Sequence, residues 1–268
     1  MRLQMRLFVA VVLMVGLQPA SSQAVPYDLE QFRSVLDDSK LQAPTSSPTK
    51  INQGKFRGAA NEYFFLDESK RYMTFTVTGD SKRSELRQMT GDWDTATQTP
   101  QRLLARVRVH VPETPGLEQF TFLQIHDKKS GDDGLNKPLL RITRRGDYRK
   151  TQDHLWAAIR IPQDPSKPIS LDNLATKNID LGPRPDGFFD AEIVIHQGRM
   201  VVTIEGETKV DMDVNYWNGL PSYFKAGVYN QDPGTSKVEF ESLVFLDTFD
   251  KPEPLAVADE AADSAEPE

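Results

Sequence analysis

From about residue 56 onward, apolar and polar residues alternate nearly one for one, and no amphipathic helix longer than two turns interrupts the pattern. Successive side chains of a strand point to opposite faces, so such alternation describes strands with one face in a core. It predicts strands over Tyr72–Val77, Ser84–Met89, Leu103–Val111, Gln119–His126, Leu139–Thr143 and His154–Ile161. Five more are expected over Phe189–His196, Met200–Glu205, Lys209–Val214, Tyr223–Gln231 and Val238–Leu246. Gly, Pro, Asn and Asp clusters separate many of them at spacings of roughly 8–20 residues, which is the signature of a sandwich or jelly roll. Gln197-Gly198-Arg199, between two well-alternating runs, reads as a tight hairpin. Residues 26–45 look mixed, with a short helix expected over Asp28 to Leu36. With so little helix, a parallel α/β sheet is excluded.

The two ends follow other rules. Arg2 and Arg6 precede an apolar run from Leu7 to Leu17, and Ser22-Gln23-Ala24 offers small residues for cleavage, so residues 1–24 read as a secretory signal. The run is too short for a hydrocarbon core that needs ~20 residues. The mature chain is therefore expected to be exported, to the periplasm or the medium, and to leave the membrane after cleavage. Residues 25–55 read as an N-terminal extension and 56–248 as the β domain. Residues 249–268, acidic, rich in Ala and Pro and poor in large apolar side chains, read as a disordered tail.

Composition sharpens this picture. The chain of 268 residues is 38% hydrophobic and 26% charged, with no cysteine and a net charge of −7. Without cysteine there is no disulfide framework, thiolate metal site or thiol nucleophile, and the core alone must hold an exported fold together. The negative balance argues against a polyanionic partner, nucleic acid included. Removing the leader's two positive charges and the tail's six negative ones leaves −3 for residues 25–251, however, so the body is close to balanced.

The strand period then sorts the polar residues by face. It places Arg83, Glu85 and Arg87 together; Gln124 with His126, opposite Leu123 and Ile125; and Tyr223, Lys225, Tyr229 and Gln231 opposite Phe224, Ala226 and Val228. Arg106, Arg108 and His110 alternate with Val107 and Val109 in the same way. For these last three an ordinary solvated face is the favoured reading, and a place on the same cationic side as Arg83, Arg87 and Lys225 is the other. Arg, Gln, His, Lys and Tyr on one face combine hydrogen-bond donors with proton-transfer groups. Two arginines flanking a glutamate fit a guanidinium held by a carboxylate.

Arg83-Ser84-Glu85-Leu86-Arg87, Gln124-Ile125-His126 and Tyr223-Phe224-Lys225-Ala226-Gly227-Val228-Tyr229-Asn230-Gln231 resemble, in order, the three signature blocks of alginate lyases of polysaccharide lyase family 7. Gln88 departs from the glutamate common after the second arginine. The resemblance implies an all-β jelly roll, two antiparallel sheets in a concanavalin-like sandwich, with a concave groove for the polymer. It implies β-elimination across the 4-O-glycosidic bond of alginate, with no cofactor required, by a monomer. Arg83 and Gln124 would neutralise the substrate carboxylate with help from His126, and Tyr229 would protonate the departing O4. Tyr229 could also take the C5 proton in mannuronate, where C5–H and O4 lie on one side; His126 is better placed for guluronate, where they lie on opposite sides. Glu85, Arg87, Lys225, Tyr223, Asn230 and Gln231 would bind or orient the substrate. By association within the family, Ile125 goes with activity on guluronate-containing blocks; endolytic action is the expected mode. A non-catalytic carbohydrate-binding jelly roll remains an alternative, as does a lyase preferring polymannuronate or another polyuronate.

Competing sites are weaker. His110, His126, His154 and His196 are scattered, without metal-binding spacing. Gly131-Asp132-Asp133-Gly134 lacks the alternating ligands of a calcium loop. Glu239 with Glu241, or Asp211 with Asp213, have the spacing of a hydrolase's carboxylate pair, but solvent-facing strand carboxylates are common. For Trp93, Trp156 and Trp217, core or loop anchoring is the default reading, and Trp217 is the best of the three for stacking on a sugar.

Overall fold

The computed structural model describes residues 24–113, 116–128 and 134–250. The leader expected over residues 1–24 and the tail over 249–268 fall outside them, except for Ala24, Phe249 and Asp250. So do the first three residues of the 131–134 segment weighed as a calcium loop.

Among the described residues, fourteen strands form two seven-stranded antiparallel sheets. The first sheet runs, in spatial order, β1 (Ser39–Gln42), β4 (Arg83–Gln88), β13 (Ser222–Asn230), β6 (Gln119–Asp127), β7 (Pro138–Tyr148), β8 (Thr151–Ile161) and β9 (Ala175–Pro183). The second runs β12 (Glu207–Asp213), β11 (Arg199–Ile204), β10 (Phe189–His196), β5 (Gln101–Val109), β14 (Thr235–Leu246), β3 (Met73–Thr78) and β2 (Phe64–Leu66). The architecture is an open β-jelly-roll sandwich. Its core is built from the inward residues of both sheets, such as Leu86, Ile125, Phe224 and Val228 facing Phe75, Val107, Ile193 and Phe240, all fully buried.

All eleven predicted strands are present. The three unpredicted ones are β1, β2 and β9. Two of these are only three or four residues long, and β9 is an edge strand with little buried besides Leu181, so none carries an apolar stripe. The short helix resolves into a 3-10 turn at Pro26–Asp28 and α1 (Glu30–Asp37), which buries Phe32, Val35 and Leu36. Residues 25–55, expected as an extension, thus supply an amphipathic helix to the core and, in β1, a strand paired to β4. The hairpin between β10 and β11 turns at Gln197 and Gly198, both at positive φ (49° and 75°), the conformation of a two-residue type I′ loop.

Arg106, Arg108 and His110 lie on or next to β5 in the second sheet, not beside Arg83 and Arg87. Arg106 pairs with Glu241 (2.6 Å) and Asp190 (3.2 Å), while Arg108 and His110 share buried Glu239 with Lys237. Against the cost of burial, bonds from His110, Lys237 and Arg108 hold Glu239 down to about 2. These carboxylates neutralise their own sheet's cations and form no hydrolase pair. Asp211 is likewise tied to Arg199, and Asp213 to Asn215.

Candidate active site

The three sequence blocks become three adjacent strands, β4, β13 and β6, in the middle of the first sheet. Paired residues share a face, so the register shows what stands on the outside. One row across the sheet reads Lys40, Arg87, Lys225, Gln124, Arg141, Ala158, Asn178. A second reads Arg83, Tyr229, Thr121, Thr143, Trp156, Asp180. Thr121 and Gln124 share the face despite odd spacing because the register shifts between Thr121 and Leu123, which leaves Phe122 and Leu123 both in the core.

Glu85 organises the centre. It is 1% exposed and accepts hydrogen bonds from Gln124 Nε2, Lys225 Nζ and Arg83 Nη1 (3.3 Å). One carboxylate therefore fixes an amide, an ammonium and a guanidinium on three strands. Burial pulls the Lys225 ammonium down to about 8, with Glu85 opposing and Arg83 and Arg87 assisting. The guanidinium of Arg83 lies 4.3 Å from the Tyr229 ring centre, and that of Arg87 lies 4.1 Å from the Tyr223 ring centre.

Burial, together with Lys225, Arg83 and Arg87, pulls His126 down to about 3, so the ring is neutral at pH 7. Its Nδ1 lies 2.7 Å from the Asp127 carbonyl oxygen, which can only accept, so Nδ1 carries the proton and Nε2 keeps a free lone pair. The Tyr223 ring stacks on the imidazole (5.5 Å, 20°), and its hydroxyl lies 3.3 Å from Nδ1. Burial pushes the Tyr223 phenol up. The Asp127 carboxylate, also pushed up by burial, accepts the backbone N–H groups of Leu135, Asn136 and Lys137 (2.7, 3.0 and 2.5 Å). The residue after the histidine thus anchors one wall of the site.

Arg83, Gln124, His126, Lys225, Tyr223 and Tyr229 line one cavity of about 340 Å³. The Tyr229 hydroxyl takes no hydrogen bond from the described residues. Asn230 does not join them. It is fully buried and ties β13 to the turns beside the second sheet, donating to the Gly79 and Gly234 carbonyls (3.0 and 2.9 Å) and accepting from Ser236 (2.6 Å). Gln231 bonds to Gln119, Thr121 and the Tyr229 carbonyl at the strand end. Trp217 is fully buried in the core with Trp93, which removes both from the sugar-facing surface. Trp156 stands on the outer face, covered by Tyr148 at 4.9 Å. Gln88 accepts from Trp93 Nε1 and from the Phe224 N–H on the core side.

The cavity also contains Arg141, Arg160 and Lys137, which the sequence reading missed. The alternation of Leu140 and Ile142 into the core already placed Arg141 on the outer face. Glu85 gives its ion pairs to Arg83 and Lys225. Among the described residues this leaves Arg87, Arg141 and Arg160 without a carboxylate in ion-pair range. No group of three metal-ligating side chains comes together among the described residues. The arrangement presents a dense anion-binding surface around two proton-transfer groups, neutral His126 and Tyr229.

A family model described as alginate lyase matches residues 35–247. An alginate lyase of Photobacterium sp. (strain ATCC 43367) is 29% identical over 252 residues, covering 84% of this chain and 88% of that protein. Among solved structures, alginate lyase AlyC3 is similar at TM-score 0.74 and 27% identity, over 84% of this chain and 96% of its own. The same enzyme in complex with dimannuronate gives 0.71 at 27% identity, over 84% and 95%. Alginate lyase AlgAT5 of polysaccharide lyase family 7 shares the fold at TM-score 0.61 and 20% identity, over 84% and 99%.

Proposed function

The chain belongs to the alginate lyase family, and from that premise we propose that it is an exported endolytic lyase that cleaves alginate by β-elimination, preferring guluronate-containing blocks and accepting mannuronate. One observation carries this reading: His126, neutral with Nε2 free, and Tyr229 line the cavity in which Glu85 holds Arg83, Gln124 and Lys225.

Elimination removes the C5 proton next to a carboxylate, and the resulting dianion is unstable in water. Arg83 and Gln124, preorganised on Glu85, are aimed at that charge, and such donors supply the largest part of many rate enhancements. For guluronate, His126 Nε2 takes the C5 proton as the C5–H bond breaks. The electron pair forms the C4–C5 double bond, and the C4–O4 bond breaks as Tyr229 protonates O4. For mannuronate, where C5–H and O4 lie on one side, Tyr229 takes the C5 proton and delivers a proton to O4. Uronate carboxylates seated against Lys225, Arg83 and Arg87 offset the charges that depress His126, so the base strengthens as substrate binds. Acceptance of mannuronate is supported by AlyC3, solved with dimannuronate. Endolytic action is supported by the row from Lys40 on β1 to Arg141 on β7, with Arg160 on β8. It crosses six strands, about 24 Å at the usual strand spacing, long enough for several sugars.

The test compares His126→Asn and Tyr229→Phe on defined polyguluronate and polymannuronate, following the ultraviolet absorbance of the new conjugated double bond. Tyr229→Phe should lose turnover on both polymers while keeping binding. His126→Asn should lose on the order of 10²–10⁴ in rate on polyguluronate, the range for a positioned proton-transfer group, and far less on polymannuronate. Binding by the wild type without that absorbance would leave only the carbohydrate-binding alternative, and equal losses on both polymers would end the two-route reading.

A further inference from the structure

Outside the outer face of the first sheet, most arginines that make side-chain hydrogen bonds also pair with a carboxylate. Arg102 pairs with Glu192 (2.7 Å), Arg144 and Arg184 with Asp153 (2.7 and 2.9 Å), and Arg199 with Asp211 (2.5 Å). Arg141 and Arg160 differ. Both line the cavity; among the described residues Arg141 makes no side-chain hydrogen bond, and Arg160 makes one, from Nη1 to the neutral hydroxyl of Thr176 (2.6 Å). Burial lowers the proton affinity of both; Arg160 and Arg145 lower that of Arg141 further, with Tyr229 and Glu85 opposing, so like charges meet in a partly desolvated place. Leaving cations there without a counterion is costly unless an anion completes the site.

Position supplies the rest. Arg141 is the cross-strand partner of Gln124 on one side and of Ala158 on the other, and Arg160 stands two residues beyond Ala158 on β8. Arg141 and Arg160 thus reach the same cavity from neighbouring strands β7 and β8. Lys137 lines the same cavity on the wall anchored by Asp127.

We infer that Arg141 and Arg160, together with Lys137, form a second carboxylate receptor that takes the free carboxylate of a uronate next to the one that reacts, so that the protein selects runs of contiguous, unesterified uronates. This rests on the polyuronate reading above. A planar guanidinium matches a carboxylate with two parallel hydrogen bonds, and two guanidiniums in one cavity give that carboxylate a defined place. The receptor sets which polymer stretch is held and takes no part in proton transfer.

Arg160→Gln is the cleaner variant, because Arg160 is one strand further from the reacting groups than Arg141. With polyguluronate, KM should rise about tenfold, the scale for losing a charged hydrogen-bonding partner, with the loss falling on KM rather than kcat and with a flatter dependence of KM on salt. In the Tyr229→Phe background, direct titration with polyguluronate should show the same loss of affinity, a readout independent of turnover. Partial methyl esterification of the polymer should weaken binding to the Tyr229→Phe protein and should have much less effect once Arg160→Gln is added. Unchanged affinity and salt dependence in Arg160→Gln, or a loss confined to kcat, overturns the receptor. A wild type that binds the polymer without eliminating it would instead sink the lyase reading and leave the titration to judge the receptor.

Discussion

Within the site, Glu85 and His126 show how single side chains take their properties from what surrounds them. Glu85 is a carboxylate among cations, and it serves as the fixed point from which Arg83, Gln124 and Lys225 are hung. Those same cations, after burial, hold His126 down to about 3, against about 6.5 in an unfolded chain. The sign of the linkage follows. The unfolded chain binds the proton first, so this group costs the fold nothing above pH 6.5 and progressively more as pH falls from 6.5 toward 3. Between pH 7 and pH 5 the loss should be about 2 kcal/mol. Urea denaturation at the two pH values should show that slope in the wild type and a shallower one in His126→Gln. Equal slopes would mean that His126 is not kept neutral by its surroundings.

The elements fix where those side chains meet. Gly227 sits in β13 between Lys225 and Tyr229 at φ +139°, and a Cβ there would lie 2.2 Å from the Ser84 carbonyl oxygen and 2.8 Å from Glu85 Cα. Both are backbone atoms of β4 and cannot step aside, so Gly227→Ala must spread β4 from β13 and separate Arg83 and Glu85 from Tyr229. Stability should fall by about 1–3 kcal/mol, the scale of overpacking, and turnover should fall with it. Denaturation and initial rates measure the two, and a variant unchanged in both would show that the close approach of the strands is not needed. The same elements explain what the sequence made legible. Period-2 alternation located β4, β6 and β13 and assigned their faces correctly, because a buried face imposes the pattern directly. It failed for β1, β2 and β9, where brevity or an edge position removes the apolar stripe. It does not say which sheet a strand joins, and the place of β5 between β10 and β14 is what assigns Arg106 and Arg108 to the second sheet. Asn230, read from its block as a substrate contact, is turned inward by the very alternation that turns Tyr229 outward.

At the scale of the whole molecule, a net charge of −7 coexists with one strongly cationic face. The second sheet neutralises its arginines with Glu239, Glu241 and Asp190, while among the described residues the first leaves Arg87, Arg141 and Arg160 without such partners. Local field, not net charge, then governs what approaches. Polymer binding should therefore weaken with ionic strength, since the screening length shrinks from about 10 Å at 0.1 M to about 3 Å at 1 M, well below the ~24 Å span of the row. KM measured across that salt range should climb by more than tenfold, the behaviour of a polyanion displacing counterions, and a flat response would contradict a charge-led groove. The row has a further consequence. Lys40, Arg87, Lys225, Gln124 and Arg141 stand at one height, one tooth per strand, and the backbone ladder sets the pitch of that comb. Changing a tooth alters its charge or reach without altering the pitch, and the opposite face of each strand keeps its place in the core. Such a surface can be retuned from one acidic polymer to another by single substitutions, one strand at a time, with the sandwich beneath left as it is.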